Sequence, residues 1–274
     1  FFQNQGGTFI NKTKALGLDN TAGWWNTIVR ADFDGDGDMD FVAGNLGLNT
    51  RYRATEKQPL RVYCDDFDHS GTYDIVLAYF DSGICYPVRG RERSVEQNPF
   101  LALKFPTYKA FAKASIAEIY GSGPLAKALR YEAKLLSSSY LENRGGAAFA
   151  VHSLPVEAQI SPVQGIVARD FDGDGKPDIL LAGNFYPLDV ETGRADAGIG
   201  LLLKGDGMGG FRSVKAVDSG FFAPGDVRDL KVLNSGPDRP PLIVVANNNE
   251  RVQVFRQAHR GVTKNAAPMV RGID

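Results

Sequence analysis

The chain has few cysteines and few histidines, which limits the sites it can build. Of its 274 residues, 2 are cysteine and 3 are histidine. Cys64 and Cys85 cannot form a disulfide framework, and their spacing is not that of a metal site. One bond between them and two half-buried strand thiols both stay open as interpretations. The sequence therefore argues against a disulfide scaffold and against a Cys/His metal site.

The chain also lacks an excess of one charge and any long apolar run. Its 31 lysines and arginines nearly balance its 32 aspartates and glutamates, so it offers no general attraction for nucleic acid or a polyanion. The local basic cluster of Arg89, Arg91 and Arg93 is expected to pair with acidic neighbours or to dock a partner. No apolar run approaches the roughly 20 residues that span a bilayer, and the opening FFQNQGGTF has no signal-peptide pattern. We expect no nucleic-acid partner and no transmembrane segment in this chain.

An internal repeat is present. The phrase DFDGDGDMDFVAGN at residues 32–45 returns as DFDGDGKPDILLAGN at residues 170–184. A second, glycine-rich phrase occurs as NQGGTF (4–9), NRGGAAF (143–149) and GDGMGGF (205–211), and predicts hairpin turns that lead into strands. The spacing of the phrases gives a unit of about 60 residues, which suits a four-stranded propeller blade.

Short apolar runs follow the acidic loops and predict buried strands. They lie at residues 41–43, 75–78 and 179–182, bounded by Gly, Asn and Asp. A fourth run, LIVVANN from Leu242, follows a stretch at 233–241 that has lost the acidic pattern. We expect no ion at that stretch. The predicted fold class is mainly β.

Residues 92–141 break this pattern, because alanine, leucine and lysine dominate there. Helical spacing of apolar residues occurs at 107–121 and again at 124–136, where a proline suits the first helical position. We therefore predict an α-helical insertion at 92–141 within a blade. Its aromatic and basic residues, of which Phe105 and Phe111 are expected to pack inward, predict a partner-binding surface.

The acidic loops carry the chemistry of the sequence. In the pattern D-x-D-x-D-G-x-x-D, odd positions of a tight turn project towards one centre, and the glycine lets the carbonyl of position 7 join them. Carboxylates held this close repel one another unless a cation lies between them. Because all donors are oxygens and neither His nor Cys is nearby, Ca²⁺ is favoured over Mg²⁺ and zinc. We predict about three Ca²⁺ ions, one in each loop.

The predicted ligands follow from the same positions of each loop, with position 7 contributing its backbone carbonyl. They are Asp32, Asp34, Asp36, Asp38 and Asp40 in loop one, Asp66, Asp68, Ser70, Thr72 and Asp74 in loop two, and Asp170, Asp172, Asp174, Lys176 and Asp178 in loop three. Loop two is expected to bind most weakly, because a serine replaces one carboxylate.

The acidic loops allow two other interpretations. An EF-hand would need a bidentate glutamate at position 12, where the chain has Ala43 and Leu181, and its loop would be followed by a helix instead of a strand. That interpretation is excluded. Alternatively, the Asp-Gly clusters are solvated hairpin turns that hold no ion.

These loops and glycine-rich turns together resemble the FG-GAP/VCBS repeat family, whose best-known member is the integrin α-subunit propeller. The resemblance spans most of the chain outside the insertion. The string from Tyr86 to Ala114 is similar to an insertion in VCBS-repeat proteins of Bacteroidota that also carry ASPIC/UnbV-type segments. The resemblance implies β-propeller-like blades with an α-helical insertion and calcium at the acidic loops. It also implies a longer parent protein that is extracellular, on the outer-membrane surface or in the periplasm.

On this basis the chain divides into four predicted segments. Propeller blades with loops one and two occupy 1–91, the helical insertion occupies 92–141, blades with loop three occupy 142–258, and a tail occupies 259–274. The expected function is that of a non-catalytic calcium-binding module that binds a protein or a glycan, as part of a larger protein or an outer-membrane complex.

The alternative function is a glycan-active enzyme, a hydrolase or lyase, on the same scaffold. His69, His152 and His259 occur in unrelated contexts, and no HExxH or GxSxG motif is present. Trp24 and Trp25 either stack on a sugar or pack within a blade. The glutamates of the insertion, expected on a solvated face, are Glu92, Glu96, Glu118 and Glu132. We therefore expect no catalytic residue.

Overall fold

The computed structural model describes residues 1–188, 192–234, 236, 239–257 and 269–273. The described chain is mainly β, with most of its helices between Arg91 and Lys127. No helix of the described residues is both long enough and apolar enough to cross a membrane.

The strands follow one another along the whole chain. They are β1 (Phe2–Gln5), β2 (Thr8–Asn11), β3 (Thr27–Ala31), β4 (Asp40–Gly44), β5 (Leu60–Asp65), β6 (Asp74–Asp81), β7 (Ile84–Pro87), β8 (Leu129–Ala133), β9 (Ser139–Asn143), β10 (Phe149–Ser153), β11 (Gly165–Arg169), β12 (Asp178–Ala182), β13 (Leu201–Gly205), β14 (Phe211–Val214), β15 (Val227–Leu233), β16 (Leu242–Asn247), β17 (Gln253–Gln257) and β18 (Val270–Ile273). The helices are α1 (Arg91–Gln97), α2 (Leu101–Lys104), α3 (Tyr108–Lys113), α4 (Ile116–Tyr120), α5 (Ser122–Lys127) and α6 (Ala216–Ser219), with a 3-10 turn at Val156–Gln159.

Within the described residues, the strands form four antiparallel sheets of four strands and one separate hairpin, β1–β2. Sheet I has the order β3, β4, β9, β10; sheet II has β7, β6, β5, β8; sheet III has β11 to β14; and sheet IV has β15 to β18. The predicted strands at 41–43, 75–78, 179–182 and 242–247 are confirmed as β4, β6, β12 and β16. The mainly β fold class is therefore confirmed.

The chain divides into two compact units. Unit one comprises residues 1–19, 24–51 and 137–274, and unit two comprises residues 20–23 and 52–136. Strands β4 and β9 pair directly in sheet I although all of sheet II lies between them in the chain. The inserted segment is therefore a sheet with helices that starts near Tyr52, and not the purely helical segment predicted at 92–141.

In unit one, the first strands of sheets I, III and IV pack side by side, with β11 between β3 and β15. Gly165 on β11 lies so close to β15 that a Cβ atom there would come within 2.6 Å of the Leu230 backbone nitrogen. Two apolar clusters fill the spaces between these sheets. One includes Phe33, Val42, Ile179 and Leu203, and the other includes Phe171, Leu202, Phe221, Leu230 and Ile243.

In unit two, helices complete the core of sheet II. Tyr63, Phe67 and Val76 from the sheet region cluster with residues of α2, α3 and α4, which are Leu101, Phe111, Ile116, Ile119 and Tyr120. Phe105 and Phe111 pack edge to face, with ring centroids 5.7 Å apart. The prediction that Phe105 and Phe111 pack inward is confirmed, because Phe111 is buried and Phe105 is partly buried against the cluster.

The helix predicted at residues 124–136 is confirmed as far as Lys127 and is wrong beyond it. Helix α5 ends at Lys127, and the following residues form β8, in which Leu129 pairs with Cys64 and Ala133 with Leu60. Pairing with the free edge of β5 satisfies a full row of backbone groups, and this tertiary gain overrides a modest helical pattern. The segment 107–121 is helical but is broken at Ala114, where Ser115 begins α4 with a capping box to Glu118.

Both cysteines lie within the described residues. Cys64 on β5 and Cys85 on β7 are both unbonded and half-buried, with β6 between their strands.

Of the predicted tail at 259–274, residues 269–273 are described, and β18 within them pairs with β17. Part of the predicted tail is therefore the fourth strand of sheet IV. Residues 235, 237 and 238 of the stretch expected to bind no ion lie outside the described residues.

Candidate metal-binding loops

Each acidic loop connects the first two strands of a sheet at the same register. Loop one joins β3 to β4, loop two joins β5 to β6, and loop three joins β11 to β12. The residue before each loop pairs with the aspartate at position 9, as Ala31 with Asp40, Asp65 with Asp74, and Arg169 with Asp178. The three loops are therefore structurally equivalent.

The aspartate at position 9 closes each loop from inside. Its Oδ2 accepts the backbone N–H of the phenylalanine at position 2, at 3.0 Å for Asp40, 3.0 Å for Asp74 and 2.9 Å for Asp178. All three carboxylates are buried, and this burial raises the pKa of Asp74 and Asp178 above the ordinary value. Position 9 thus has a structural role whether or not it also binds an ion.

The phenylalanines at position 2 were missed as site residues. Phe33, Phe67 and Phe171 are buried, and each belongs to the core cluster of its own region. Phe33 contacts Phe211 edge to face with centroids 5.4 Å apart. The signal was present in the sequence, because all three loops begin D-F-D. The phenylalanine side chain anchors the start of the loop in the core.

The aspartate at position 1 organises the turn. Asp32 accepts the N–H groups of Gly35 and Gly37 at 2.7 and 3.1 Å, and Asp170 accepts the equivalent groups of loop three at 2.6 and 2.8 Å. Gly35 and Gly37 have φ of 78° and 93°, a left-handed conformation that glycine adopts without strain. The loops fold alike because the glycines free the backbone and the aspartate binds it.

Each loop brings three carboxylates together. In each set, one oxygen per residue lies within 4.8 Å of the others, and the sets are Asp32, Asp34 and Asp36; Asp66, Asp68 and Asp74; and Asp170, Asp172 and Asp178. In loop one, burial and then the neighbouring aspartates raise the pKa of Asp34. Three convergent carboxylates with oxygen donors only are the donor set that a hard divalent cation takes. The residues present therefore fit such an ion.

Some of the predicted ligands of loops one and three lie outside the three-carboxylate sets. Asp38 and Lys176 donate their backbone N–H to Asp36 and Asp174, at 2.8 and 3.0 Å, and neither side chain belongs to a three-carboxylate set. Asp40 and Asp174 are also outside these sets. The carbonyl of Asp38 or Lys176 as a ligand stays a prediction.

Loop two departs from the other two in its middle. The Ser70 hydroxyl lies 2.8 Å from the Thr72 hydroxyl, and a hydrogen bond from Ser70 lowers the pKa of Asp68. His69 has φ of 59° at the position where loops one and three have a glycine. Its side chain is exposed, and its backbone conformation is one that residues with a side chain adopt at a cost.

A lysine from a neighbouring strand contacts loop three, and the sequence pattern did not reveal it. Lys204 on β13 pairs its Nζ with Asp172 and, at 3.0 Å, with Asp174. These contacts raise the pKa of Lys204 and lower that of Asp174. The carboxylate of Asp172 is 1% exposed, so a fixed positive charge already faces a buried ligand of this loop.

Unit two also has an aromatic and basic cleft of about 270 Å³, lined by β6, β7, the start of α1 and α3. Tyr79 and Tyr86 are cross-strand partners with ring centroids 6.3 Å apart. Arg91 donates its Nε to the Phe105 carbonyl at 2.6 Å, and its guanidinium lies over the Tyr108 ring. The cleft therefore presents an oriented arginine beside tyrosine rings.

The remaining candidates are dispersed. His152 contacts Glu142 at 2.7 Å, Arg93 pairs with Glu96, and Arg89 donates to Gln97. Glu92, Glu96 and Glu118 are exposed, and Glu132 pairs with Arg61. Trp24 is 41% exposed, Trp25 is half-buried, and His259 lies outside the described residues.

Comparison with known proteins yields no assignment: no protein-family model matches the chain, and no curated protein matches it either.

Proposed function

We propose that this chain is a non-catalytic, calcium-binding module with propeller-like blades that binds a protein or a glycan outside the cell or at the outer-membrane surface. The observation that carries the proposal is the threefold occurrence of one loop geometry. Each loop joins equivalent strands, is closed by the same buried aspartate and gathers three carboxylate oxygens within 4.8 Å.

The propeller-like arrangement is supported within unit one. Sheets III and IV are four-stranded meanders, sheet I has the same strand order with unit two inserted between its second and third strands, and the first strands of the three sheets lie next to one another. Blades of a propeller place their first strands around a common axis. The acidic loops of sheets I and III then fall on the same edge of their blades, where an ion would tie the first strand to the second.

Calcium is supported by the donor set. The three carboxylate groups contain oxygen ligands only, and Ca²⁺ tolerates the irregular, high coordination that a carboxylate-rich loop supplies. Calcium titration by calorimetry on the whole chain should give about three sites. Anomalous scattering should place ions about 2.3 to 2.6 Å from the aspartate oxygens. Loops one and three without ions at saturating calcium would contradict the proposal.

The cleft of unit two is the surface that we propose for the ligand. Arg91 lines the cleft and keeps its Nε on a backbone carbonyl, which restrains a guanidinium of the kind that binds carboxylates. Tyrosine rings beside it supply flat faces for a sugar or a peptide side chain. Binding should be tested with uronate-containing oligosaccharides and with acidic peptides, each against a neutral analogue.

The glycan-active enzyme remains the alternative function. The same binding experiment separates the two, because a hydrolase or lyase would convert a bound oligosaccharide into shorter products. Mass spectrometry of the ligand after long incubation reports this directly. Unchanged ligand supports a binding module, and progressive cleavage would contradict it.

A further inference from the structure

Lys204 and Glu142 occupy the same position in two equivalent sheets. Phe41 pairs with Leu141, and Ile179 pairs with Leu203, where Phe41 and Ile179 are the residues that directly follow the position 9 aspartates. The next residue of the third strand is Glu142 in sheet I and Lys204 in sheet III.

The residues that follow Glu142 and Lys204 confirm that these two positions are equivalent in sheets I and III. Asn143 donates its backbone N–H to Oδ1 of Asp40 at 2.7 Å, and Gly205 donates to Oδ1 of Asp178 at 3.0 Å. The third strand therefore meets the acidic loop in the same way in both sheets. Only the charge at the preceding residue is reversed.

The side chains of Lys204 and Glu142 have different partners. Lys204 extends to Asp172 and Asp174 of loop three and is 28% exposed. Glu142 instead pairs with Arg144 at 3.2 Å and with His152 at 2.7 Å, away from the ligand set of loop one. At this position, loop three is supplied with a positive charge from its own sheet, whereas loop one is not.

Close carboxylates need a compensating cation, and a protein ammonium can supply it as well as a metal ion can. We propose that Lys204 is an internal counter-ion of loop three that competes with a divalent cation. Loop three therefore keeps its shape without metal and binds calcium more weakly than loop one. This inference rests on the proposed calcium binding by these loops.

This inference changes the order of calcium affinities that the sequence pattern predicts for loops one and three. Loops one and three have the same aspartates at positions 1, 3, 5 and 9, so a count of carboxylates predicts equal affinity. A calcium ion at loop three must displace the Lys204 ammonium from Asp172, whose carboxylate is buried. Lys176 in loop three, where loop one has Asp38, adds to the same difference.

The test uses calcium calorimetry on the full chain with loop two disabled by Asp66→Asn and Asp68→Asn. Two sites are expected, the tighter at loop one. Lys204→Met should strengthen the weaker site about tenfold and leave the tighter one unchanged, while Lys204→Arg keeps the charge and should leave both unchanged. Glu142→Lys should weaken the tighter site. Lys231→Met, which removes an exposed lysine of β15, is the matched control.

A second measurement works without calcium. In chelator, Lys204→Met should lower the melting temperature by several degrees, because Asp172 then lies beside Asp170 and Asp178 without the Lys204 ammonium, and added calcium should restore it. Equal affinities at loop three in the wild type and Lys204→Met would overturn the inference while calcium binding at loop one stands. Absence of calcium binding at loop one in every variant is a separate result and would overturn the proposed function.

Discussion

The buried carboxylate of Asp40 holds Phe33 at the start of loop one, since its Oδ2 accepts the Phe33 backbone N–H at 3.0 Å. The same carboxylate accepts the Tyr140 hydroxyl at 3.0 Å and the Asn143 backbone N–H at 2.7 Å. This single side chain therefore joins the start of the loop to the third strand of the sheet, β9, and through Tyr140 to the aromatic core.

Removal of this carboxylate should destabilise the fold without reference to any ion. We expect Asp40→Ala to lower the free energy of unfolding by about 3 kcal/mol, because two buried backbone N–H groups and a hydroxyl lose their acceptor. Urea denaturation in chelator measures this. Asp19→Asn, at an exposed position of the same unit, is the control. An equal effect of the two variants would show that Asp40 has no closing role.

The left-handed glycines should be required for the loop shape. Gly37 and Gly175 have φ of 93° and 84°, so an alanine at either position should cost about 1 kcal/mol of stability. Gly123 in α5 has no positive φ and open space around its Cα, so Gly123→Ala should be neutral or stabilising. Thermal melts of the three variants check the difference. If Gly123→Ala lowered the melting temperature as much as Gly37→Ala, backbone strain could not be the cause.

Calcium should raise the melting temperature of the chain. An ion that binds the folded loops alone stabilises by mass action, by about 2.7 kcal/mol at one hundred times its dissociation constant. The melting temperature should follow calcium concentration and fall in chelator. Magnesium at the same concentration is the control and should have a smaller effect. Superimposable melts with calcium and with chelator would mean that no ion has a structural role.

The helices of unit two should prove to be core. Phe111 is 4% exposed and packs with Phe105 and Ile116, so Phe111→Ala should cost about 3–5 kcal/mol. Leu103 in the neighbouring helix is 89% exposed, and Leu103→Ala should cost little. Deletion of residues 92–141 should unfold the chain, because it removes β8 and part of β9 together with the helices. A folded deletion variant would contradict this description of the core.

Arg91 should determine ligand binding by the cleft. We expect Arg91→Gln to weaken binding of a carboxylate ligand at least tenfold, because the guanidinium supplies the charged hydrogen bonds. Arg93→Gln is the matched control, since Arg93 is exposed, pairs with Glu96 and does not line the cleft. Calorimetry with the best ligand from the oligosaccharide and peptide set gives both values. Equal ligand affinities of the Arg91→Gln and Arg93→Gln variants would show that the ligand does not bind at the cleft.

Local patterns predicted much of this protein. The D-F-D-G-D-G loops, the apolar runs after them and the glycine-rich turns fix strands, hairpins and carboxylate clusters, because each depends on residues close in sequence. The glycines and the bond from position 9 to the phenylalanine at position 2 lie within one loop, so their spacing alone was sufficient to place them. The mainly β class and the sets built on Asp32, Asp66 and Asp170 followed from these patterns.

Long-range pairing determined the rest. Residues 129–133 form β8 because the edge of β5 was open to them, and no periodicity within that segment reports on a strand about 70 residues away. Lys204 reaches loop three for a similar reason, since the register of β12 against β13 places it there. Glu142 takes the equivalent place in sheet I only because β9 returns to β4 after the whole of unit two. The sequence by itself thus determined the loops and their donors, and the tertiary structure decided which charges face them, because those charges arrive on strands distant in the chain.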